Sequence, residues 1–215
     1  VICPRGLRAM FVSRSRLLLA RARPLRAGGG GPLKSYVSWC ENRPYSSMVI
    51  QCGFILGAGD LLTQTLERNE KKEDPPPYNP GRTFRMALYG WGCFGPFCAV
   101  WYNIALPWAV PMAAGLTGRA AVVPVAKKVA LDETLQSWFY YLSFLYGMTL
   151  LEGGSHKDGV AKLEKDFVRV YLTDLMIWPF VQAVNFAVVP PHLQGVLVSV
   201  VSVFWGAFLS HVQHS

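Results

Sequence analysis

Two long stretches of this chain carry no Asp, Glu, Lys or Arg: residues 86–118, between Arg85 and Arg119, and the last 41 residues, after Asp174. Charge segregated in this way narrows the possible folds more than any other feature of the sequence. A helix rises about 1.5 Å per residue and the hydrocarbon core of a bilayer is about 30 Å thick, so roughly 20 apolar residues make one crossing. The second stretch is long enough for two. The overall balance agrees, since 52% of the residues are hydrophobic and only 16% charged, a mixture that soluble globular domains seldom show.

Read from this pattern, the segment from Ser46 to Leu66 is a first span with Asp60 as its one charge. Residues 67–82 mix both charge signs with a run of prolines and form a loop outside the membrane. A second span runs from about Phe84 to about Leu106 and contains Gly90, Gly92, Gly95 and Pro96, small residues of the kind that let helices approach closely in lipid. The third covers about Val129 to Leu151, preceded by Lys127 and Lys128, whose ammonium groups suit the headgroup level. In residues 156–171, Val160, Leu163, Phe167 and Val170 recur at helical spacing, the stripe expected of an amphipathic helix lying on the bilayer surface. Residues 171–189 and 193–209 form two further apolar segments, separated by Pro190 and Pro191. The expected fold is therefore all-α: a polytopic membrane helical bundle of four to five transmembrane helices plus an amphipathic interfacial helix. Trp101, Tyr102, Trp108 and Trp205 are candidates for an aromatic interface belt, with core packing as the alternative.

The net charge of +8 is not a nucleic-acid signature, because of where the charge sits. Residues 1–34 hold eight of the 21 basic residues and no acid; the remainder has 13 basic against 13 acidic residues. An Arg-rich, acid-free leader of this kind reads as an organellar transit peptide, with a basic arm that is never cleaved as the alternative. The domain reading is thus a leader over 1–34 and an integral membrane domain over 35–215, with the lipid bilayer as a partner and nucleic acid excluded. The five cysteines show no C-x-x-C or Cys/His ligand spacing. No G-x-S-x-G, H-E-x-x-H, Walker loop or Rossmann fingerprint is present, so no enzymatic centre and no cofactor are expected. His211 and His214, three residues apart near the C-terminus, read as part of a solvated tail and not as a metal site.

The polar residues inside the apolar stretches form a pattern that resembles the Mpv-seventeen family, which also contains the twenty-two-kilodalton peroxisomal membrane protein. The pieces are GDLLTQ from Gly59 to Gln64, GRTFRM with Arg82 and Arg85, and the pairs Gly95–Pro96 and Trp101–Tyr102. To these add KKVALDE from Lys127 and Lys128 to Glu133, and WPFVQAVNFAVVP, which includes Trp178, Pro179, Gln182, Asn185, Phe186 and Pro190. The resemblance covers about residues 39–210. It implies an integral protein of the mitochondrial inner membrane or the peroxisomal membrane; some members behave as weakly selective small-solute channels and others as auxiliary factors of mitochondrial homeostasis. The chain departs from the pattern where Glu133 follows Asp132 in place of a glutamine, where Gln194 replaces an arginine, and in its ending, Trp205 to Ser210.

A carboxylate inside a bilayer is costly and persists where it meets water, a cation or another polar group. Asp60 with Gln64, and Asp132 with Gln136, share an i, i+4 spacing that puts each pair on one helix face. Together with Glu133 they are the candidate pore-lining or bundle-interior residues. Two readings follow from them. In one, these groups line an aqueous path for small solutes or ions. In the other, they bond to one another and to Arg82, Arg85, Lys127 or Lys128 and fix helix packing within a structural or assembly subunit of a larger membrane complex, or in self-association. Gln182 and Asn185 read as interhelical hydrogen-bonding amides, and Pro179 as a kink in their helix. The expected location is the mitochondrial inner membrane, with plastid and peroxisomal membranes as alternatives.

Overall fold

The computed structural model describes residues 31–70, 74–111, 119–188 and 191–215; the expected leader, all but its last four residues, and Pro190 lie outside them. The chain divides into two compact units, Val1–Trp39 and Cys40–Ser215. In the first, helix α1 (Pro32–Asn42) begins, and the rings of Tyr36 and Trp39 stand 6.3 Å apart. The second holds five long helices: α2 (Pro44–Glu70), α3 (residues 80–109), α4 (residues 119–151), α5 (His156–Val188) and α6 (Pro191–His214). No strand occurs among the described residues.

Local chemistry sets the helix ends. Asn79 caps α3, its side chain accepting the Arg82 backbone N–H at 3.0 Å, and Pro80 occupies the first turn where no donor is needed. Helix α4 stops at Gly153, whose φ of 90° lies in the left-handed region. Before α5, the Ser155 hydroxyl accepts the Asp158 N–H at 3.3 Å while Asp158 accepts the Ser155 N–H at 2.7 Å, a reciprocal cap spelled S-x-x-D in the sequence. Within α3, π-helical turns at Gly90–Phe94 and Trp101–Ala105 each end just before a proline, Pro96 and Pro107. Proline lacks an N–H and crowds the preceding turn, and a widened turn accommodates both effects without breaking the helix. A third π turn, Asp132–Gln136, interrupts α4 with no proline beside it.

Successive helices run antiparallel. Gly90 faces Gly53 across α2 and α3, Tyr89 reaches Ser143 across α3 and α4, and Tyr141 reaches Asp174 across α4 and α5. Across α5 and α6, Lys162 donates to the Val212 carbonyl and Trp178 stacks edge-on to Trp205. Helix α6 returns to lie parallel to α2 and closes the bundle. There the two backbones touch: a Cβ on Gly59 would stand 2.6 Å from the Gly206 carbonyl carbon. Gly90 is equally constrained against Gly53, whereas Gly92 faces open space and takes no part in the close approach expected of it. Since lipid is as apolar as leucine, such backbone contact and van der Waals packing hold helices together in a membrane.

The middle of the bundle is apolar and aromatic. Met86, Phe144, Leu145, Met148, Val170, Leu209 and Val212 are fully buried, and Tyr89, Tyr140, Tyr141 and Trp205 join them. Trp205 is thus a core residue and not part of an interface belt, while Trp108 is 74% exposed. Residues 156–171 also depart from expectation. They form the first half of the 33-residue α5, about 50 Å long, and Leu163, Phe167 and Val170 pack into the protein core. The stripe therefore serves a bundle contact, and no separate interfacial helix exists there. Helix α5 continues through Pro179 to Val188. Two segments, Pro44–Glu70 and Leu197–His214, are long and apolar enough to cross a membrane by length and hydropathy.

Candidate functional site

Two polar clusters occupy opposite ends of α3. The first is centred on Asp60, which is wholly buried. Its Oδ1 accepts from Arg82 Nε at 2.7 Å and from Ser210 Oγ at 2.6 Å; its Oδ2 accepts from Gln64 Nε2 at 2.7 Å and from Thr83 Oγ1 at 2.5 Å. The Arg82 guanidinium also grips Glu67, at 2.9 and 3.2 Å, and Ser210 at 3.0 Å. Gln64 in turn accepts the Asn79 backbone N–H at 2.7 Å, tying the loop before α3 to α2. Two donors thus reach each oxygen of the Asp60 carboxylate. Thr63 adds a hydrogen bond to the Ala207 carbonyl at 2.7 Å beside the Gly59 and Gly206 contact. The cluster thus binds α2, α3 and α6, and Asp60 lies level with the first turn of α3.

The second cluster lies where α3 approaches its end. Asp132 Oδ1 accepts from Trp101 Nε1 at 2.7 Å and its Oδ2 from Tyr102 Oη at 2.9 Å. Trp101 and Tyr102 therefore belong to a carboxylate clamp, and the interface-belt expectation for them gives way to it. Both partners lie in π turns, Trp101–Ala105 and Asp132–Gln136. Next to Asp132, Glu133 and Gln136 are buried, and Asp174 is buried on α5, where Tyr141 donates to its Oδ1. None of these three carboxylates is in an ion pair among the described residues.

The two Asp-x-x-x-Gln pairs consequently do not share one polar interior. From Arg82 to Trp101 is 19 residues, about 28 Å of helix, and the apolar core lies between. Asp60 and Gln64 bond to each other, whereas Asp132 turns to Trp101 and Tyr102. Of the other family-motif residues, Gly95 packs on Val49, with a Cβ at 95 reaching Val49 Cα at 2.8 Å, and Pro96 is exposed. Arg85 is half-buried and Lys127 exposed, with Lys128 half-buried. Trp178 packs against the core, and Gln182 is half-buried. Asn185 and Phe186 lie in α5, their side chains outside the described residues.

A third contact set joins the ends of α4 and α6. His214 Nε2 lies 2.7 Å from Glu152, and Gln213 donates to the same carboxylate at 3.0 Å. His214 Nδ1 faces the Ser210 carbonyl at 2.6 Å. Burial pushes the Glu152 carboxyl up, but the hydrogen bonds from His214 and Gln213 and the charges of His214 and Arg85 outweigh it and hold the group below its ordinary value of 4.5. His211 instead points toward Glu67 at 4.0 Å. The two histidines thus serve different carboxylates, and the solvated tail expected of them is in fact the last turn of α6. Among the described residues no group of three or more His, Cys, Asp or Glu side chains is placed to hold a metal.

Sequence reasoning missed Ser210, Thr83, Asn79 and Glu67 as partners of the Asp60 cluster, and Asp174 as a neighbour of Glu133. Asp174 did carry a signal, as the last charge before the long apolar end of the chain. The others are ordinary residues whose roles arise only from helix packing.

Comparison with known proteins identifies relatives of the chain. Residues 149–210 match the Mpv17 / PMP22 family. The chain is 31% identical to PXMP2/4 family protein 4 of Dictyostelium discoideum over 84% of its own length and 92% of that protein. It is 33% identical to the mitochondrial inner membrane protein Mpv17 of Bos taurus, and likewise to that of Homo sapiens, in each case over 84% of its length and 97% of theirs. No solved structure matches the chain. With relatives of this similarity along nearly their whole length, the chain belongs to the Mpv17 / PMP22 family.

Proposed function

We propose that this protein is a small-solute channel of the mitochondrial inner membrane, closed in the conformation described, with α2 to α6 as five membrane crossings. The relatives named as mitochondrial inner membrane proteins support that location, and the PXMP2/4 names suit a peroxisomal alternative. The five crossings are supported by the outward faces of the helices between the two apolar segments: Phe84, Leu88 and Val100 on α3, Leu135, Trp138 and Leu142 on α4, and Val168, Leu172, Met176 and Phe180 on α5 are all exposed. In water such a surface would be an aggregation liability; in lipid it is the expected exterior.

The observation that carries the channel reading is the acidic cluster of Asp132, Glu133 and Asp174. Ionisable groups inside a membrane bundle are costly, and those kept there without a counter-charge mark ion and solute paths. A second reading, a structural or assembly subunit of a larger complex, is favoured by the packed aromatic core and by the saturated Asp60 cluster, which leaves that carboxylate no capacity to bind anything passing. Planar-bilayer conductance of the purified protein separates the two. Currents altered by Asp132→Asn support the channel. Silence from well-folded protein at all voltages, together with stoichiometric co-purification of other membrane subunits, would establish the structural role instead.

A further inference from the structure

We propose that Glu133 and Asp174 form a binding site for a single proton, which the two carboxyls share and which ties α4 to α5. Glu133 is 8% exposed and Asp174 2%. Asp174 Oδ1 accepts from Tyr141, and Ser137 lies beside the same carboxyl. Glu133, Ser137 and Tyr141 recur at four-residue intervals on α4, so Asp174 lies against three successive turns of one face. The two carboxyls are near enough to act on each other, and Glu133 Oε2 and Asp174 Oδ2 are both sealed from solvent without any hydrogen-bond donor.

Ionised carboxylates only accept hydrogen bonds. Two orphaned acceptors face to face in a dry site repel each other, whereas one proton between them turns the repulsion into a short, charge-assisted O–H···O bond. The surroundings offer no substitute. Asp132 beside them is an acid already engaged by Trp101 and Tyr102 from α3; the other titratable neighbours, Tyr140 and Tyr141 on α4 and Tyr102 on α3, carry no positive charge. Helix α6 contributes the non-titrating Trp205 near Tyr141. No Lys, Arg or His is ion-paired with either carboxyl among the described residues. A glutamine at position 133 would bring its own N–H donors; with glutamate there, the same bond requires a proton. The site stands whether or not the protein conducts.

The full chain in lipid nanodiscs tests this by two readouts. Infrared spectra at neutral pH are expected to show the carbonyl stretch of a protonated carboxylic acid, absent from both Glu133→Gln and Asp174→Asn. Melting between about pH 5 and about pH 9 is expected to show wild type losing stability as the shared proton is released, and Glu133→Gln, with its permanent donor, holding steady. A spectrum without that band, a band that survives Glu133→Gln, or identical pH profiles for the two proteins would overturn the proposal. So would stabilisation of wild type by sodium or potassium at constant ionic strength in place of the band, which would mark a bound cation.

Discussion

Asp60 shows how one buried carboxylate can be fully used by structure. Four donors converge on it from α2, α3 and α6, and one of them is a guanidinium that would otherwise be a buried, partly uncompensated charge. Asp60→Asn removes the charge and replaces an acceptor with a donor facing donors. Because Arg82 keeps Glu67, the loss is expected near the lower end for broken buried pairs, about 3 kcal/mol. It will be read as a lowered melting temperature and a lower yield of folded protein, with the current of whatever folds unchanged. A changed conductance from normally stable protein would return Asp60 to the permeation path. Gly59 is the steric counterpart. Gly59→Ala places a methyl group 2.6 Å from backbone of α6, which cannot rotate aside, so α2 and α6 must part. A destabilisation of about 1–3 kcal/mol is expected, and Gly92→Ala, facing open space, is the control that leaves melting unaltered.

Among the elements, the joint between α4 and α6 depends on acid. The Glu152 carboxyl is held below 4.5 in the folded protein, so its contribution is complete above that pH and is lost as pH falls through the folded value. Acid titration of detergent-solubilised protein is expected to show this as a decline in melting temperature below about pH 4.5. Glu152→Gln should lack that step while being less stable at neutral pH. The proton shared by Glu133 and Asp174 would act in the opposite sense and at the other end of the bundle, so the two effects separate by pH and by variant. The π turns belong to this scale as well: two of the three carry Trp101, Tyr102 and Asp132, so the clamp is built from local departures in helical winding.

At the scale of the whole molecule, antiparallel order across α2 to α6 assigns each described helix end to a face. Residues 74–79 before α3, the turn at Gly153 and Gly154, and the end of α6 share one face, with Glu67, Arg82, Glu152, His211 and His214. The start of α2, the end of α3, the end of α5 and the start of α6 share the other. Single cysteines introduced into a cysteine-free variant at Pro76, Ser155 and Ser215 are therefore expected to react with an impermeant maleimide from one side of a sealed vesicle, and a cysteine at Pro111 from the opposite side. Labelling of Pro76 and Ser155 positions from opposite sides would break the five-crossing arrangement.

Helical class, the membrane setting and the family were legible in the sequence, because each depends on local or linear properties: runs without charge, prolines and glycines at fixed positions, motif pieces in order. Caps such as Asn79–Pro80 and S-x-x-D before α5 were written there too. Which polar side chains meet was not. Asp60 and Asp132 look equivalent along the chain, both four residues before a glutamine, yet one is ion-paired to an arginine 22 residues away and hydrogen-bonded to a serine 150 residues away, and the other accepts only neutral donors, an indole and a phenol about 30 residues away. The apparent stripe of residues 156–171 was real in its spacing, but spacing gives a face and not its neighbour, and only packing decided that the neighbour is protein. Hydrogen bonds and close backbone contacts are short-ranged, so their energies are fixed by distances that the order of residues does not contain.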